Sequence, residues 1–90
     1  MYFTYILKCS DGSYYVGHTE DLDMRVKAHN EGRAAAYTRA RRPVVLAYSE
    51  THSSLSAAVS RERQIKRWSA AKKEALIRGD TAELWRLAHE

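Results

Sequence analysis

Residues 2–19 read YFTYILKCSDGSYYVGHT. Residues 2–7 are all aromatic, β-branched or leucine, a composition that suits a pleated strand. Ser10-Asp11-Gly12-Ser13 is a turn signal, and residues 14–18 return as a second strand. The loop length decides which faces the side chains take. A two-residue loop at Asp11-Gly12 would put Tyr5 and Tyr15 on opposite faces. A three-residue loop, Ser10-Asp11-Gly12, places Gly12 in the left-handed position of a type I turn with a G1 bulge. Tyr5 then lies opposite Gly17 and Leu7 opposite Tyr15, and the two tyrosines share a face. The three-residue loop is the preferred reading, with Gly17 leaving open space beside Tyr5. On the sequence alone, both tyrosines also suit a purely structural place at the core edge, apolar in body and polar at the tip.

Beyond the hairpin, Thr19 is a suitable N-cap, with Glu20 and Asp21 at the positive end of the helix dipole. This helix should run to about residue 31 and stop at Gly32. Residues 33–42 form a basic loop without period, closed by Pro43, and residues 44–48 read as a third strand. A second helix starts near Ser53 or Ser54 and runs to about residue 68. Ser69 caps a third over 70–78, ended by Gly79, and Asp80 or Thr81 caps a last short helix through residue 87. The order is ββαβααα. It predicts a small three-stranded antiparallel sheet flanked by helices, class α+β.

With 90 residues the chain is expected to be a single domain over 1–90, with one modest core. One Cys excludes an internal disulfide and a four-Cys zinc site. Cys9 reads as a small apolar residue in a reducing compartment. No apolar run approaches the ~18 residues of a membrane span. MYFTYILKC carries no leading positive charge and is too short for a secretory signal, so the expected location is cytoplasmic. Net charge is +4, unevenly spread. Residues 33–73 hold ten basic and two acidic residues, a local +8, while the remainder holds five basic and nine acidic, a local −4. Ten of the fifteen cations are Arg, which suits bidentate phosphate contact. Such a segment suggests a polyanionic partner, nucleic acid foremost, or else a solubilising surface.

Several polar residues interrupt the apolar pattern. On the helix after Thr19, Leu22 and Val26 define the buried stripe, and His29 falls about 20° from Leu22. Arg25 and His29 stack as an i, i+4 pair beside that stripe, with Arg25 expected to hold a partly buried guanidinium. On the next helix Leu55, Ala58, Val59 and Ile65 make the stripe, and Glu62 falls near its middle. A carboxylate there needs a partner. Glu62 is also the lone acid among Arg61, Arg63, Lys66 and Arg67. It is either a ligand for a hard divalent ion such as Mg²⁺ or one half of a Glu62–Arg25 ion pair. Tyr37, Arg39, Arg41 and Arg42 form a loop able to reach phosphates, with Tyr37 stacking or hydrogen-bonding. Trp68, Leu84 and Trp85 read as helix-packing residues, and Lys72 and Lys73 as a wet helix face. His18 and His52 have no evident partner.

These residues in this order resemble the GIY-YIG nuclease domain, closest to its small stand-alone bacterial members. Phe3-Thr4-Tyr5 stands where the family has Gly-Ile-Tyr, and Tyr15-Val16-Gly17 where it has Tyr-Ile-Gly. DLDMRVKAH carries the family's Arg at Arg25 and a His at His29. Glu62, in SRERQIKRW, matches the family's metal-binding Glu. The likeness covers residues 2–76. It implies a divalent-metal-dependent hydrolase, using Mg²⁺ or Mn²⁺, that cuts phosphodiester bonds of DNA by structure or strand state, as in DNA repair. Carried over, Tyr5 activates the water, Tyr15 orients water or phosphate, and Arg25 stabilises the transition-state charge. His29 assists proton transfer, and Glu62 is the metal's protein ligand. Tyr37, Arg39, Arg41, Arg42 and Lys66 would grip the backbone. The chain departs from the pattern at Phe3 and Thr4, and it lacks a late Asn that larger members use, since its only Asn is Asn30. Grip and specificity then come from the domain itself, a homodimer or a protein partner. Two other readings stand beside the nuclease: a binding module of the same fold that cuts poorly, and a protein-interaction subunit using its basic face.

Overall fold

The computed structural model describes residues 1–88. The elements run β1 (Tyr2–Lys8), β2 (Tyr14–Thr19), α1 (Leu22–Asn30), α2 (Ala36–Arg39), β3 (Val45–His52), α3 (Leu55–Lys66), α4 (Ala70–Arg78) and α5 (Thr81–Ala88). The sheet is antiparallel with order β2-β1-β3, so the aromatic first strand is central. Among the described residues no helix is long and apolar enough to cross a membrane.

The hairpin has the three-residue loop. Cys9 N–H bonds the Ser13 carbonyl at 2.8 Å, and Gly12 takes φ +86°, a region open to glycine. Tyr5 pairs with Gly17 and Leu7 with Tyr15. Because side chains alternate, this register divides the core between the two faces of the sheet. On one face Tyr5, Leu7, Cys9 and Val44 are buried, with Tyr15, Leu22 and Val26 packed against them. On the other, Ile6, Val16 and Ile65 are buried under Tyr14, Tyr48, Trp68, Leu76 and Ile77. The Thr4 hydroxyl, also buried, donates to the Ala58 carbonyl at 2.9 Å and fastens β1 to α3. That bond gives the departure from Ile at this position a packing role.

Several local expectations change. Thr19 does not cap α1: it pairs with Phe3 as the last residue of β2, and its hydroxyl takes the Asp21 N–H. A β-branched residue continues the strand, and the cap passes to Asp21, which accepts from Met24 N–H at 3.1 Å. The loop over 33–42 contains the short helix α2. β3 extends to His52 and skips a residue opposite Ile6 and Leu7, a bulge. Ser54 and Ser69 cap α3 and α4 as expected, and Asp80 accepts from Glu83 N–H at the start of α5. Leu55 and Trp85, expected to pack, are 48% and 65% exposed. The α3 stripe instead narrows to Ala58 and Ile65. Lys72 is not simply wet either: its ammonium lies 4.4 Å from the centre of the Trp68 ring.

Opposite Tyr5, a Cβ built on Gly17 would stand 2.5 Å from the phenol oxygen. Gly17→Ala should therefore displace Tyr5 and cost about 1–3 kcal/mol, the range for overpacking a filled site. A urea unfolding curve measures it.

Candidate active site

β1 carries Tyr5 into the core, where it is 1% exposed. A buried phenol needs a hydrogen-bond partner. The hydroxyl finds one across 24 residues of sequence in His29 Nε2, at 2.9 Å. His29 is the one buried residue of α1. Its other nitrogen, Nδ1, lies 2.7 Å from the Thr38 hydroxyl, and Thr38 donates to the Ala35 carbonyl at 3.2 Å. The chain of donors therefore runs one way. Thr38 gives its proton to Ala35, so its oxygen accepts from His29 Nδ1–H, which leaves Nε2 to accept from the Tyr5 hydroxyl. Thr38 was not singled out by the sequence; the short helix that presents it had no period to announce it.

Electrostatics agree with that assignment. Burial pushes the Tyr5 phenol well above its ordinary value, with Tyr15 and Glu62 adding to the rise and Arg25 opposing it. Burial also lowers the His29 imidazole, and the Arg25 charge lowers it further. At neutral pH the pair is thus a protonated phenol and a neutral imidazole. Tyr15 closes over them, its ring centre 5.0 Å from that of His29 and 6.1 Å from that of Tyr37. Arg25 sits on the exposed side of α1 rather than partly buried, close enough for its charge to bear on both Tyr5 and His29.

Glu62 reaches the site from the other side of β2. Its carboxylate pairs with His18 Nδ1 at 2.6 Å and Lys66 Nζ at 2.9 Å, and no bond to Arg25 forms among the described residues. Burial alone would raise this carboxyl; the bonds from His18 and Lys66 outweigh it and hold it below its ordinary value. His18 is a site residue that sequence reading missed, because its partner lies 44 positions away. His52 likewise has a carboxylate beside it, Glu50, which also takes the Tyr48 hydroxyl and Arg61. Around the edge of β2 a shallow depression of about 310 Å³ joins the two sides, lined by Tyr14, Tyr15, Val16, Tyr37, Lys66 and Lys73. A larger concavity, about 860 Å³, runs along the outside of α3 and includes none of Tyr5, His29 or Glu62.

The loop cations divide. Arg41 is committed to structure: it pairs with Asp11 at 3.0 Å and lies 3.7 Å above the Tyr37 ring, while Tyr37 bonds the Ser13 hydroxyl at 2.7 Å. Arg42 donates to the Arg39 carbonyl, and Arg39 is exposed. Asn30 lies outside the site and braces both backbone groups of Val44.

The profile of the GIY-YIG catalytic domain matches residues 1–75. The chain belongs to the GIY-YIG family. A UPF0213 protein of Halobacterium salinarum is 50% identical over 77 residues, 86% of this chain and 100% of that one. A UPF0213 protein of Staphylococcus aureus is 48% identical over 77 residues, 86% of this chain and 94% of that one. Among solved structures, the UPF0213 protein BH0048 of Bacillus halodurans is similar with a TM-score of 0.54 and 42% identity, covering 86% of this chain and 83% of that one. The protein EF2693 of E. faecalis has a TM-score of 0.60 and 31% identity, covering 90% and 86%. The GIY-YIG catalytic domain is a nuclease domain, and GIY-YIG nucleases act on nucleic acid and generally use a divalent metal.

Among the described residues, no three His, Cys, Asp or Glu side chains gather as a metal cage. The donor chemistry nonetheless fits a hard ion held by one carboxylate and several waters, the habit of Mg²⁺, with Glu62 as that carboxylate.

His29 gives a pH signature. Its folded value lies below the unfolded one, so between about pH 6.5 and that lower value the unfolded chain binds the extra proton, and stability falls as pH falls. Urea midpoints at pH 7.5 and 5.5 should show a larger acid loss for the native chain than for His29→Gln, which cannot titrate.

Proposed function

We propose that the whole chain is a single nuclease domain that hydrolyses phosphodiester bonds of DNA, by structure or strand state, in the cytoplasm. The observation that carries this reading is the directed line from the Tyr5 hydroxyl through neutral His29 to Thr38. A free phenol, with a reference pKa near ~10, is a poor base at neutral pH. Here it need not ionise beforehand. The attacking water passes its proton to the Tyr5 oxygen as Tyr5 passes its own to His29 Nε2. The water oxygen bonds to phosphorus, the bond to the leaving oxygen breaks, and that oxygen takes a proton from solvent. His29 then returns its proton to solvent.

Tyr5 is closed to bulk water, so the attacking water enters with the substrate from the Tyr15 side. Tyr15 orients that water or a phosphate oxygen, and Arg25 faces the negative charge of the transition state. Glu62 would hold a divalent ion, Mg²⁺ or Mn²⁺; when bound, it supplies polarisation of the phosphoryl oxygen and stabilisation of the leaving oxygen. Lys66 and Arg39 grip the backbone, with Tyr37, Arg41 and Arg42 shaping the loop beside them.

Labelled single-stranded, duplex and branched DNA, incubated with the protein and Mg²⁺ or Mn²⁺, tests this. Cleavage should vanish with EDTA and with Glu62→Ala, and should drop about 10²-fold or more in Tyr5→Phe, the scale of a lost proton transfer. Cutting that survives Glu62→Ala would remove the assigned site. Salt-sensitive binding without cutting would make the chain a binding module instead.

A further inference from the structure

Glu62 has both oxygens taken. Oε1 faces His18 Nδ1 and Oε2 faces Lys66 Nζ. The Glu62 side chain is only 13% exposed, so the two partners nearly enclose it. They differ in how readily they leave. His18 is held in β2 by its pairing with Thr4. Lys66 lies in the last turn of α3, with its side chain 50% exposed on a flexible four-carbon stem. It also borders the depression that holds Tyr15 and Tyr37, where a phosphate backbone would arrive.

We propose that Lys66 is a tethered cation that occupies Oε2 of Glu62 until a substrate phosphate draws it away, so that metal ion and nucleic acid bind this protein cooperatively. The inference rests on the reading of Glu62 as metal ligand. An ammonium and a divalent ion drawn to the same oxygen repel each other at close range, so each weakens the other's hold there. In the free protein the ion must displace Lys66 without recompense. With a phosphate beside it, the ammonium exchanges one anion for another, and Oε2 is freed. Coupling of this kind is reciprocal: whatever factor the nucleic acid adds to metal affinity, the metal adds to nucleic-acid affinity. His18 keeps its bond to Oε1 throughout and holds the carboxylate in place.

The test measures Mn²⁺ binding from the electron paramagnetic resonance signal of the free ion. All variants carry Tyr5→Phe so that DNA is cut too slowly to change during the titration, and a short forked oligonucleotide is present or absent, with Mn²⁺ bound by DNA alone subtracted. In the parent the oligonucleotide should tighten Mn²⁺ binding about tenfold, within the usual range of coupling between sites. Lys66→Met should tighten Mn²⁺ binding in the absence of DNA by about the same factor and reduce the coupling below about twofold. Arg67→Met, which removes an equal charge next along the chain, should leave the coupling intact. If Lys66→Met behaves like Arg67→Met, the proposal is overturned while the metal site stands. If Glu62→Gln binds Mn²⁺ as the parent does, the metal reading itself fails and takes this one with it.

Discussion

The hydrogen bond between Tyr5 and His29 is the constraint around which the rest of the molecule is arranged. A tyrosine on the central strand of a small sheet would ordinarily keep its hydroxyl at the wet edge. Here the ring lies flat enough over β2 that residue 17 has no room for a Cβ, and the hydroxyl ends inside the protein. Burying it without an acceptor would cost on the order of 1–3 kcal/mol. The acceptor must be a neutral nitrogen, since an imidazolium has only donors to offer. This requirement explains why the buried residue of α1 is a histidine rather than an aliphatic. It also gives α2 a purpose: four residues of helix are too few to contribute much core, but they hold Thr38 against His29 Nδ1 and fix which nitrogen carries the proton.

Candidate chemistry and core are therefore the same atoms. Tyr5 and His29 are among the largest fully buried side chains of the protein. A domain of this size has little core to spare, and this one places titratable groups inside it. The second cluster, Ile6, Val16 and Ile65, is aliphatic, with the buried Thr4 hydroxyl beside it satisfied by Ala58. It anchors α3 on the opposite face of the sheet, and so sets where Glu62 stands relative to β2. The two halves of the site meet beside the edge strand β2, near enough for the Glu62 charge to bear on Tyr5. That geometry leaves an open depression in place of a closed pocket, suited to a polymer lying across the surface.

Local chemistry was legible from the sequence where its cause was local. Gly12 after Ser10-Asp11 specified the loop, the loop specified the register, and the register placed Tyr5 against Gly17. The serines at 54 and 69 announced their helices because a cap needs only its next three residues. Readings that depended on what lies across space went astray. Leu55 shares the helical stripe with Ala58 and Ile65, yet no element comes to cover it, and periodicity cannot show that a stripe outruns its partner. Arg25 sits at the angle expected beside His29 and is exposed overall, yet its charge still bears on Tyr5 and His29. His18 and Thr38 escaped notice because each acquires meaning only from a partner brought near by the fold.

The distribution of charge bears on how the surface could act on a polyanion. The segment from Arg33 to Lys73 carries a strong positive excess, but much of it is internally engaged. Arg41 is spent on Asp11 and Tyr37, and Arg61 on Glu50. Arg39, Arg63 and Arg67 are exposed and make no ion pair among the described residues. At the β2 edge itself the α3 cation is Lys66, with Lys73 of α4 beside it, while Arg63 and Arg67 line the outer side of α3. Against Lys66 lies Glu62, a carboxylate that repels phosphate and weakens any surface whose task is only to bind. A carboxylate among arginines and lysines is a charge that a site for a hard divalent ion would use. Two partners already rest on it, the His18 ring and the Lys66 ammonium, and they hold the carboxylate in place.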